Sequence, residues 1–368
     1  MPHSRSVFAG AAAVGLLLAT PAVAAAGGSS SAPAPTPEVK STALAAPFNL
    51  DVTGHKVLVA DGGLNLVGSL KSDGSIKTIA ADQPGAAGVA RTHSRLAFTT
   101  TVGDQSGISA SGLNIWGPKG KRIYADTLAF ERKKNPDKVN TYGIKNPSAC
   151  VVQAFQDAGF GDPTAAPGAV DSHAYSVLAH KGSWIVADAG ANVLFRVSDK
   201  GRISTLSVLP PQPLKVTADM AKNLGFPDCV ANVTYVFEPV PTDVEVGRDG
   251  YLYVSTLPGG PESPVLGARG AVYKVHPHSG KATKVAGGFL GATNLALGKH
   301  GEIYVSELFG GKISKYSHGR TSTFAELPGV VAVETARDGS VWAATLGNEE
   351  PPAPGTIVHF VGGKKAKR

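Results

Sequence analysis

The chain of 368 residues lacks the short motifs that mark the commonest enzyme classes. It contains no G-x-S-x-G nucleophile elbow, no H-E-x-x-H zinc-binding helix, no phosphate-binding loop and no dinucleotide fingerprint. These absences exclude the commonest hydrolases and nucleotide-dependent enzymes. The adjacent residues Asp171, Ser172 and His173 do not replace them, because neighbours along a strand point to opposite faces and a triad needs side chains that face one another.

Charged residues are also scarce, at 17% of the chain. The formal net charge is +7, and five of these charges come from the two ends: Arg5, Lys364, Lys365, Lys367 and Arg368. The remaining fold is nearly neutral, whereas a nucleic-acid-binding protein needs a basic stripe, so no nucleic-acid partner is predicted. The basic tail, 362–368, is either a solubilising end or a contact with an anionic cell surface.

Long apolar runs are missing, apart from one near the N-terminus that is too short to cross a membrane. It extends from Val7 to Ala19, follows Arg5, and precedes small residues that suit an A-x-A cleavage site. Such a segment is a secretory signal, whereas a membrane-spanning helix needs about 20 apolar residues. We predict a signal peptide over 1–26, a disordered linker over 27–37 and no transmembrane span. The protein should be secreted or associated with the cell envelope.

Cysteine occurs only twice, as Cys150 and Cys229. Neither residue belongs to a C-x-x-C pair, and exported proteins readily form disulfides. We therefore predict a disulfide between them, with free thiols or metal ligation as the alternatives.

What the chain does contain is a cassette that returns six times: a short apolar strand, a Gly-containing turn and a second strand that ends on Thr, Asp or Glu. The second strands are centred on Val59, Phe98, Val186, Val254, Val305 and Ala343. Two more short strands follow, rich in Val, Ile, Tyr and Thr and without a helical period. Repeats of four such strands predict an all-β, six-bladed β-propeller.

The last repeat contains only three strands, and the chain supplies a fourth at its other end. Residues 38–44 are similar to the outer strands of other repeats. We predict that 38–44 completes the last blade and closes the ring, because this pairing removes two exposed strand edges. A single propeller domain is predicted over 38–361.

Two insertions interrupt the repeats at about 126–170 and 210–238, and both contain partly helical patterns, near 149–158 and 216–224. If each repeat is a four-stranded blade, all the long loops of this chain lie on the same face of the propeller. Rigid scaffolds usually hold their function in long loops, so this loop-rich face is the predicted binding face.

Oxygen-bearing side chains recur at two positions of the repeat. Acidic residues close the second strand of repeats one, three and five, and polar residues open the innermost strand of three repeats. The first set is Asp61, Asp188 and Glu307, and the second set is Asn49, Asp243 and Asn294. Around an axial channel such oxygens suit Ca²⁺ or another divalent cation. The alternative is that they cap backbone groups of the adjoining turns.

The order of four segments resembles a known family. These segments are 59–63 (VADGG), 172–175 (SHAY), 186–192 (VADAGAN) and 237–244 (FEPVPTDV). Together they are similar to the ScyD/ScyE family of exported proteins, and the cassettes at 241–256 and 293–307 resemble NHL-type and gluconolactonase-type six-bladed propellers. The resemblance implies a secreted propeller without an established reaction. It also implies that Asp243 and Asn294 occupy positions similar to the metal-binding Asp and Asn of lactonases.

We expect a monomeric secreted scaffold that binds a small molecule or a cell-envelope or secreted protein through the loop-rich face, without a defined cofactor. The alternative is a metal-assisted lactone or ester hydrolase whose cation is held by Asp243, Asn294 and an acidic strand end. A quinone-dependent sugar dehydrogenase on a related propeller is a third interpretation.

Overall fold

The computed structural model describes residues 35–360 except 55, 262 and 349. The predicted signal peptide, most of the predicted linker and the basic tail lie outside these residues. Within them the chain forms 28 β-strands, three α-helices and four short 3-10 helices. The strands assemble into seven four-stranded sheets, and every pairing inside a sheet is antiparallel.

The N-terminal third begins with β1 (Pro37–Leu44), whose sheet is otherwise made of strands from the C-terminal end of the chain. Two meanders of four strands follow. Sheet 1 consists of β2 (Pro47–Thr53), β3 (Lys56–Asp61), β4 (Leu66–Leu70) and β5 (Ile76–Ala80). Sheet 2 consists of β6 (Ala86–Arg91), β7 (Leu96–Asp104), β8 (Gly107–Trp116) and β9 (Arg122–Asp126), with a 3-10 turn at Pro118–Gly120.

The central third holds the two insertions on either side of a third meander. The first insertion contains α1 (Thr127–Lys134), a 3-10 helix (Pro136–Val139), β10 (Thr141–Ile144), α2 (Ala149–Asp157) and β11 (Ala166–Pro167). Sheet 3 consists of β12 (Ala174–His180), β13 (Ser183–Asp188), β14 (Val193–Ser198) and β15 (Ile203–Val208). The second insertion contains β16 (Gln212–Lys215), α3 (Ala218–Asn223), a 3-10 helix (Asp228–Val230) and β17 (Thr234–Phe237). Helices α2 and α3 lie where the sequence pattern predicted helix.

The C-terminal third contains two more meanders and the partners of β1. Sheet 4 consists of β18 (Pro241–Val246), β19 (Leu252–Thr256), β20 (Gly270–Val275) and β21 (Ala282–Phe289), with a 3-10 turn at Pro264–Leu266. Sheet 5 consists of β22 (Ala292–Leu297), β23 (Ile303–Glu307), β24 (Lys312–Ser317) and β25 (Arg320–Glu326). Sheet 6 has the order β1, β28 (Gly355–Phe360), β27 (Val341–Thr345), β26 (Val330–Thr335).

Strand β1 covers the segment for which the sequence predicted a returning strand. It pairs antiparallel with β28, with Glu38 opposite His359 and Leu44 opposite Gly355. The first and last strands of the described chain therefore belong to one sheet, and β28 has a partner on both of its edges.

The six sheets share a local irregularity that marks them as copies of one unit. In each of them the pairing of the first strand with the second shifts register after the first paired residue. The shifts follow Pro47, Ala86, Ala174, Pro241, Ala292 and Val330. Bulges of this kind bend a strand and re-aim its side chains. Contacts between first strands run from β2 to β6, β12, β18, β22 and β26, and from β26 back to β2.

Six hydrophobic clusters of the described residues lie between sheets that neighbour one another. They join sheet 1 to 2, 2 to 3, 3 to 4, 4 to 5, 5 to 6 and 6 to 1. Phe98 and Phe289 are fully buried in two of these layers. Full burial of such a side chain stabilises the fold by about 1.5–3 kcal/mol. Both faces of each sheet are therefore covered, which explains why the strands carry apolar residues on successive positions rather than in strict alternation.

Candidate functional site

The two insertions form one substructure. Their strands make the seventh sheet, in the order β11, β10, β17, β16. Cys150 on α2 is bonded to Cys229 in the 3-10 helix of the second insertion, with the two Cα atoms 6.3 Å apart, which confirms the predicted disulfide. A separate hydrophobic cluster around Ala154, Val216 and Val230 packs inside it. We call this substructure the cross-linked insertion.

A row of aromatic rings runs through the cross-linked insertion. Phe155 stacks on Phe226 at a centroid distance of 4.9 Å and on Tyr235 at 5.9 Å. Tyr235 in turn lies 4.4 Å from Phe237. At the outer end Phe160, which is 46% exposed, approaches Phe226 at 6.1 Å. The row therefore runs from β17 of the seventh sheet to the exposed ring of Phe160.

Two clefts lie on either side of the disulfide. The larger one, of about 420 Å³, is lined by residues that include Cys150, Gln153, Asp157, Phe226 and Pro227. The smaller one, of about 270 Å³, is lined by residues that include Lys145, Pro147, Cys229, Val233 and Thr234. Small-molecule sites in proteins usually have volumes of about 300–1,000 Å³, and the larger cleft falls within this size range.

Beneath the cross-linked insertion lies a group of acidic residues that the sequence did not single out. The junction cluster, as we call it, consists of Glu131, Asp137, Asp171 and Glu238. Glu131 and Asp137 are fully buried. Glu131 Oε2 accepts the backbone N–H of Ser172 at 2.7 Å. The cluster therefore lies where the insertions meet the start of sheet 3.

Asn192 connects the junction cluster to both insertions. Its side-chain amide donates to Asp137 Oδ2 at 3.1 Å, and its Oδ1 accepts the backbone N–H of Val240 at 3.0 Å. Asp137 Oδ2 also accepts the Tyr142 hydroxyl at 3.3 Å. Asn192 is fully buried and has a φ of 58°, in the left-handed region that Asn tolerates better than most residues.

Several acceptor atoms in this region have no donor. Among the described residues, Glu131 Oε1, Asp137 Oδ1, Asp171 Oδ1 and Asn135 Oδ1 are buried without a hydrogen-bond partner. Leaving a buried polar group unsatisfied costs about 1–3 kcal/mol. The packing is close, because a Cβ at Gly168 would overlap the Asp137 carboxylate. The site thus has oxygen acceptors in excess and little free space.

Burial is the main cause of high pKa values in the junction cluster. It raises the pKa of Glu131 to about 9, of Asp171 to about 8, of Glu238 to about 7 and of Asp137 to about 6. Repulsion between neighbouring carboxylates raises each pKa further. No lysine or arginine is among the groups that set these four pKa values.

The acidic strand ends singled out from the sequence bind backbone groups. Asp61 accepts the N–H groups of Ala45, Ala46 and Leu64 at 2.8, 3.0 and 2.8 Å. Asp188 accepts the Ser172 hydroxyl at 2.6 Å and the N–H groups of His173 and Ala191 at 2.7 and 3.1 Å. Glu307 accepts the N–H of Leu290 at 2.6 Å and the Ser314 hydroxyl. Each carboxylate holds the segment before the first strand of its sheet, and this geometry matches the capping interpretation.

The polar residues of the innermost strands join neighbouring sheets. Asn49 Oδ1 accepts the N–H of Val89 at 3.1 Å, and Asn294 Oδ1 accepts that of Val333 at 2.9 Å. Asp243 accepts the N–H of Leu295 at 3.1 Å and the Ser176 hydroxyl at 2.5 Å, while burial raises its pKa to about 6. Four sheet junctions are therefore stabilised by the three residues proposed as ligands, since Asp243 on sheet 4 bonds to both sheet 3 and sheet 5.

Three further carboxylates lie on the same strands and were missed in the sequence. Asp51 lies two residues after Asn49, and Glu245 lies two residues after Asp243. Glu334 lies two residues after Ala332, which is at the equivalent position of the last repeat. Burial raises the pKa of all three, and repulsion from Glu334 adds to the rise at Glu245. The two-residue period of a strand places such residues on one face, so that spacing was the signal that would have found them. Within the described ranges no three His, Cys, Asp or Glu residues are arranged to hold a metal ion.

Comparison with known proteins identifies the fold. No family model and no curated protein matches the chain. The PQQ-bound aldose sugar dehydrogenase of Streptomyces coelicolor matches at a TM-score of 0.53 and 11% identity, over 88% of this chain and 96% of that one. A protein of unknown function from Bacteroides thetaiotaomicron matches at 0.52 and 11%, over 89% and 72%. Virginiamycin B lyase of Staphylococcus aureus gives 0.46 and 15%, over 88% and 86%. The first two matches, both at 11% identity, show the fold alone, which is a β-propeller. Within the described ranges no helix is long and apolar enough to cross a membrane.

Proposed function

We propose that this chain is an exported, closed six-bladed β-propeller, similar to the ScyD/ScyE family, that binds a small molecule or a secreted or cell-envelope protein through its loop-rich face. The blade count is supported by six sheets with the same bulge and by clusters that run from sheet 1 through sheet 6 and back to sheet 1. The pairing of β1 with β28 supports closure. The disulfide supports export, because disulfides persist in oxidising compartments.

The main support for a binding function is the cross-linked insertion. Its sheet, hydrophobic cluster and disulfide lie outside the six repeated sheets. Such an element does present rigid concave surfaces, and here two clefts flank the bridge. Preorganised surfaces bind with a smaller entropy cost than mobile loops do.

The binding function can be tested with the mature chain and matched surface variants. Labelled protein is applied to the surface of the secreting cell and to its secreted material, and retained protein is quantified. We expect Gln153→Ala with Phe160→Ser to lower retention about tenfold, which corresponds to about 1.4 kcal/mol. Lys299→Ala, in an exposed turn between β22 and β23, is the control and should bind as the parent does. Equal retention by all variants would exclude the cross-linked insertion as the binding surface.

A metal-assisted lactone or ester hydrolase is the second candidate. It is favoured by the concentration of carboxylates on the innermost strands, at Asp51, Asp243, Glu245 and Glu334. In this function Asp243 and Asn294 would bind a divalent cation that polarises the substrate carbonyl. They would first have to release the N–H groups of Leu295 and Val333.

Elemental analysis of the purified mature protein separates the two functions. If the protein is the hydrolase, it should contain about one cation per chain, and Asp243→Ala should lose that cation. Its hydrolysis of lactones should stop when a chelator is added. A binding scaffold should melt at the same temperature with Ca²⁺ and with a chelator.

A further inference from the structure

The cross-linked insertion meets the propeller through four carboxyl groups, and among the described residues no lysine or arginine contributes to their pKa values. Glu131 lies on α1, Asp137 on the following 3-10 helix, Asp171 before β12, and Glu238 between β17 and β18. Two of these segments belong to the first insertion, one leads into sheet 3, and one ends the second insertion. A change of charge in the cluster therefore acts where the first insertion leads into sheet 3 and where the second insertion leads into sheet 4.

The surrounding groups do not neutralise the cluster. His173 is a neutral imidazole at pH 7, because burial lowers its pKa. Tyr142 remains a neutral phenol, because burial raises its pKa. Asp188, at the end of β13, is a further acid whose oxygens bind Ser172, His173 and Ala191.

On the side of sheet 4, the loop that carries Arg269 contacts Glu238, because the N–H of Gly259 donates to the Glu238 carbonyl at 3.0 Å. The Arg269 guanidinium donates to the carbonyls of Pro258, Gly259 and Pro261 and lies 4.3 Å from the centroid of Phe237. It is not among the groups that set the pKa of Glu238.

Protonation can supply the hydrogen-bond donors that the junction cluster lacks. A protonated carboxyl group carries an O–H donor, and several acceptors without donors lie in the same region. Once ionised, buried carboxylates repel one another in a low dielectric and lose hydration that they would recover by moving into water.

We propose that the junction cluster is a proton-operated latch, which holds the cross-linked insertion on sheet 3 while its carboxyl groups are protonated and releases it when they ionise. The latch would control the orientation of the proposed binding face. It goes beyond the binding function and does not depend on it, since its test needs no ligand.

The direction of the pH effect follows from the raised pKa values. An acid whose pKa is raised in the closed state stabilises that state fully below the pKa it has in water, about 4. This stabilisation is lost as the pH rises through the pKa values of the closed state, about 6 to about 9. Release is therefore expected between neutral and moderately alkaline pH.

Limited proteolysis of the mature chain measures the opening. Subtilisin is used at pH 6 and pH 9, and its rate is normalised at each pH to cleavage of an unstructured peptide. We expect cleavage within 138–170 or 210–236 to be at least about tenfold faster at pH 9, because cleavage follows the population of the open state. Glu131→Gln with Asp171→Asn should reduce the pH dependence of the cleavage rate severalfold, since the two amides cannot ionise while Asp137 and Glu238 still can. Asp219→Asn, an exposed change on α3, is the matched control and should keep the pH dependence.

Three results would overturn the latch. The first is equal cleavage of the parent at both pH values, and the second is an unchanged pH dependence in the double variant. In the third, 1 mM Ca²⁺, an amount on the order of an extracellular site's Kd, protects the parent from cleavage at pH 9 but does not protect the double variant. That result would assign the cluster to a metal ion. If the double variant does not fold, Glu238→Gln alone should reduce the pH dependence, and an unchanged dependence there would equally exclude the latch.

Discussion

Asn192 and Asp137 form the link between the propeller and the first insertion: the Asn192 amide donates to Asp137 Oδ2 at 3.1 Å. The same Asn192 side chain accepts the N–H of Val240, where the second insertion returns to sheet 4. One buried side chain in the turn between β13 and β14 thus binds both insertions.

Asn192→Ala should therefore destabilise the protein. The substitution removes three hydrogen bonds, to Asp137, Gly190 and Val240, and places a residue without a polar side chain at a φ of 58°. We expect the free energy of unfolding to fall by about 2–4 kcal/mol, as measured by urea denaturation. Asn223→Ala, at the exposed end of α3, should leave it within about 0.5 kcal/mol of the parent.

Removal of the disulfide should weaken the cross-linked insertion most. Cys150 and Cys229 are separated by 79 residues, and the chain-entropy model assigns such a bridge about 4 kcal/mol. We expect Cys150→Ser, Cys229→Ser and the double variant to have the same lowered denaturation midpoint. A double variant clearly weaker than either single variant would show that one thiol stabilises the fold by itself.

Asp243 should tolerate an amide better than an alanine. Asn at this position retains an oxygen that can accept the N–H of Leu295, whereas Ala leaves that group and the Ser176 hydroxyl without their partner. Asp243→Ala should lower the free energy of unfolding by about 3 kcal/mol and Asp243→Asn by less than about 1 kcal/mol. Urea titrations at one pH compare the two, and equal losses would show that the negative charge itself is required.

A pH series adds a second measurement at Asp243. Its pKa in the folded state is about 6, above the ordinary value. The parent should therefore lose stability relative to Asp243→Asn as the pH rises from about 4 to 6, because ionisation then occurs more readily in the unfolded chain. A parent that gains stability over this range would contradict the raised pKa.

Loss of β1 should expose the edge of β28. Deletion through residue 44 removes the partner of Val358 and the buried residues Ser41 and Leu44. An exposed strand edge pairs with other chains, so we expect aggregation on size-exclusion chromatography and a lowered Tm. A chain that begins at Pro37 is the control and should remain monodisperse with the parent's Tm.

The sequence predicted much of the fold because the relevant signals are local. The cassette at Asp243 and the one at Asn294 were read from strand periodicity and glycine turns, and both appear as paired strands. The pairing of Cys150 with Cys229 was predicted because the chain offers no other cysteine. The roles of Asp61 and Asn49 were less accessible, since a metal ligand and a capping residue have the same composition and position.

By itself the sequence determined the repeated four-stranded units, the segment that pairs with β28 and the disulfide, because strand period, turn chemistry and residue type act between near neighbours or between the only two candidates. Only the tertiary structure decided that Glu131, Asp137, Asp171 and Glu238 meet at one junction, where the first two are fully buried and the last two half-buried, and that Asn192 joins both insertions there. These carboxylates come from separate segments, and their burial depends on how the two insertions pack on sheet 3. Burial and the absence of a cationic partner change the chemistry of a carboxyl group, and neither is a property of the residues next to it in the chain.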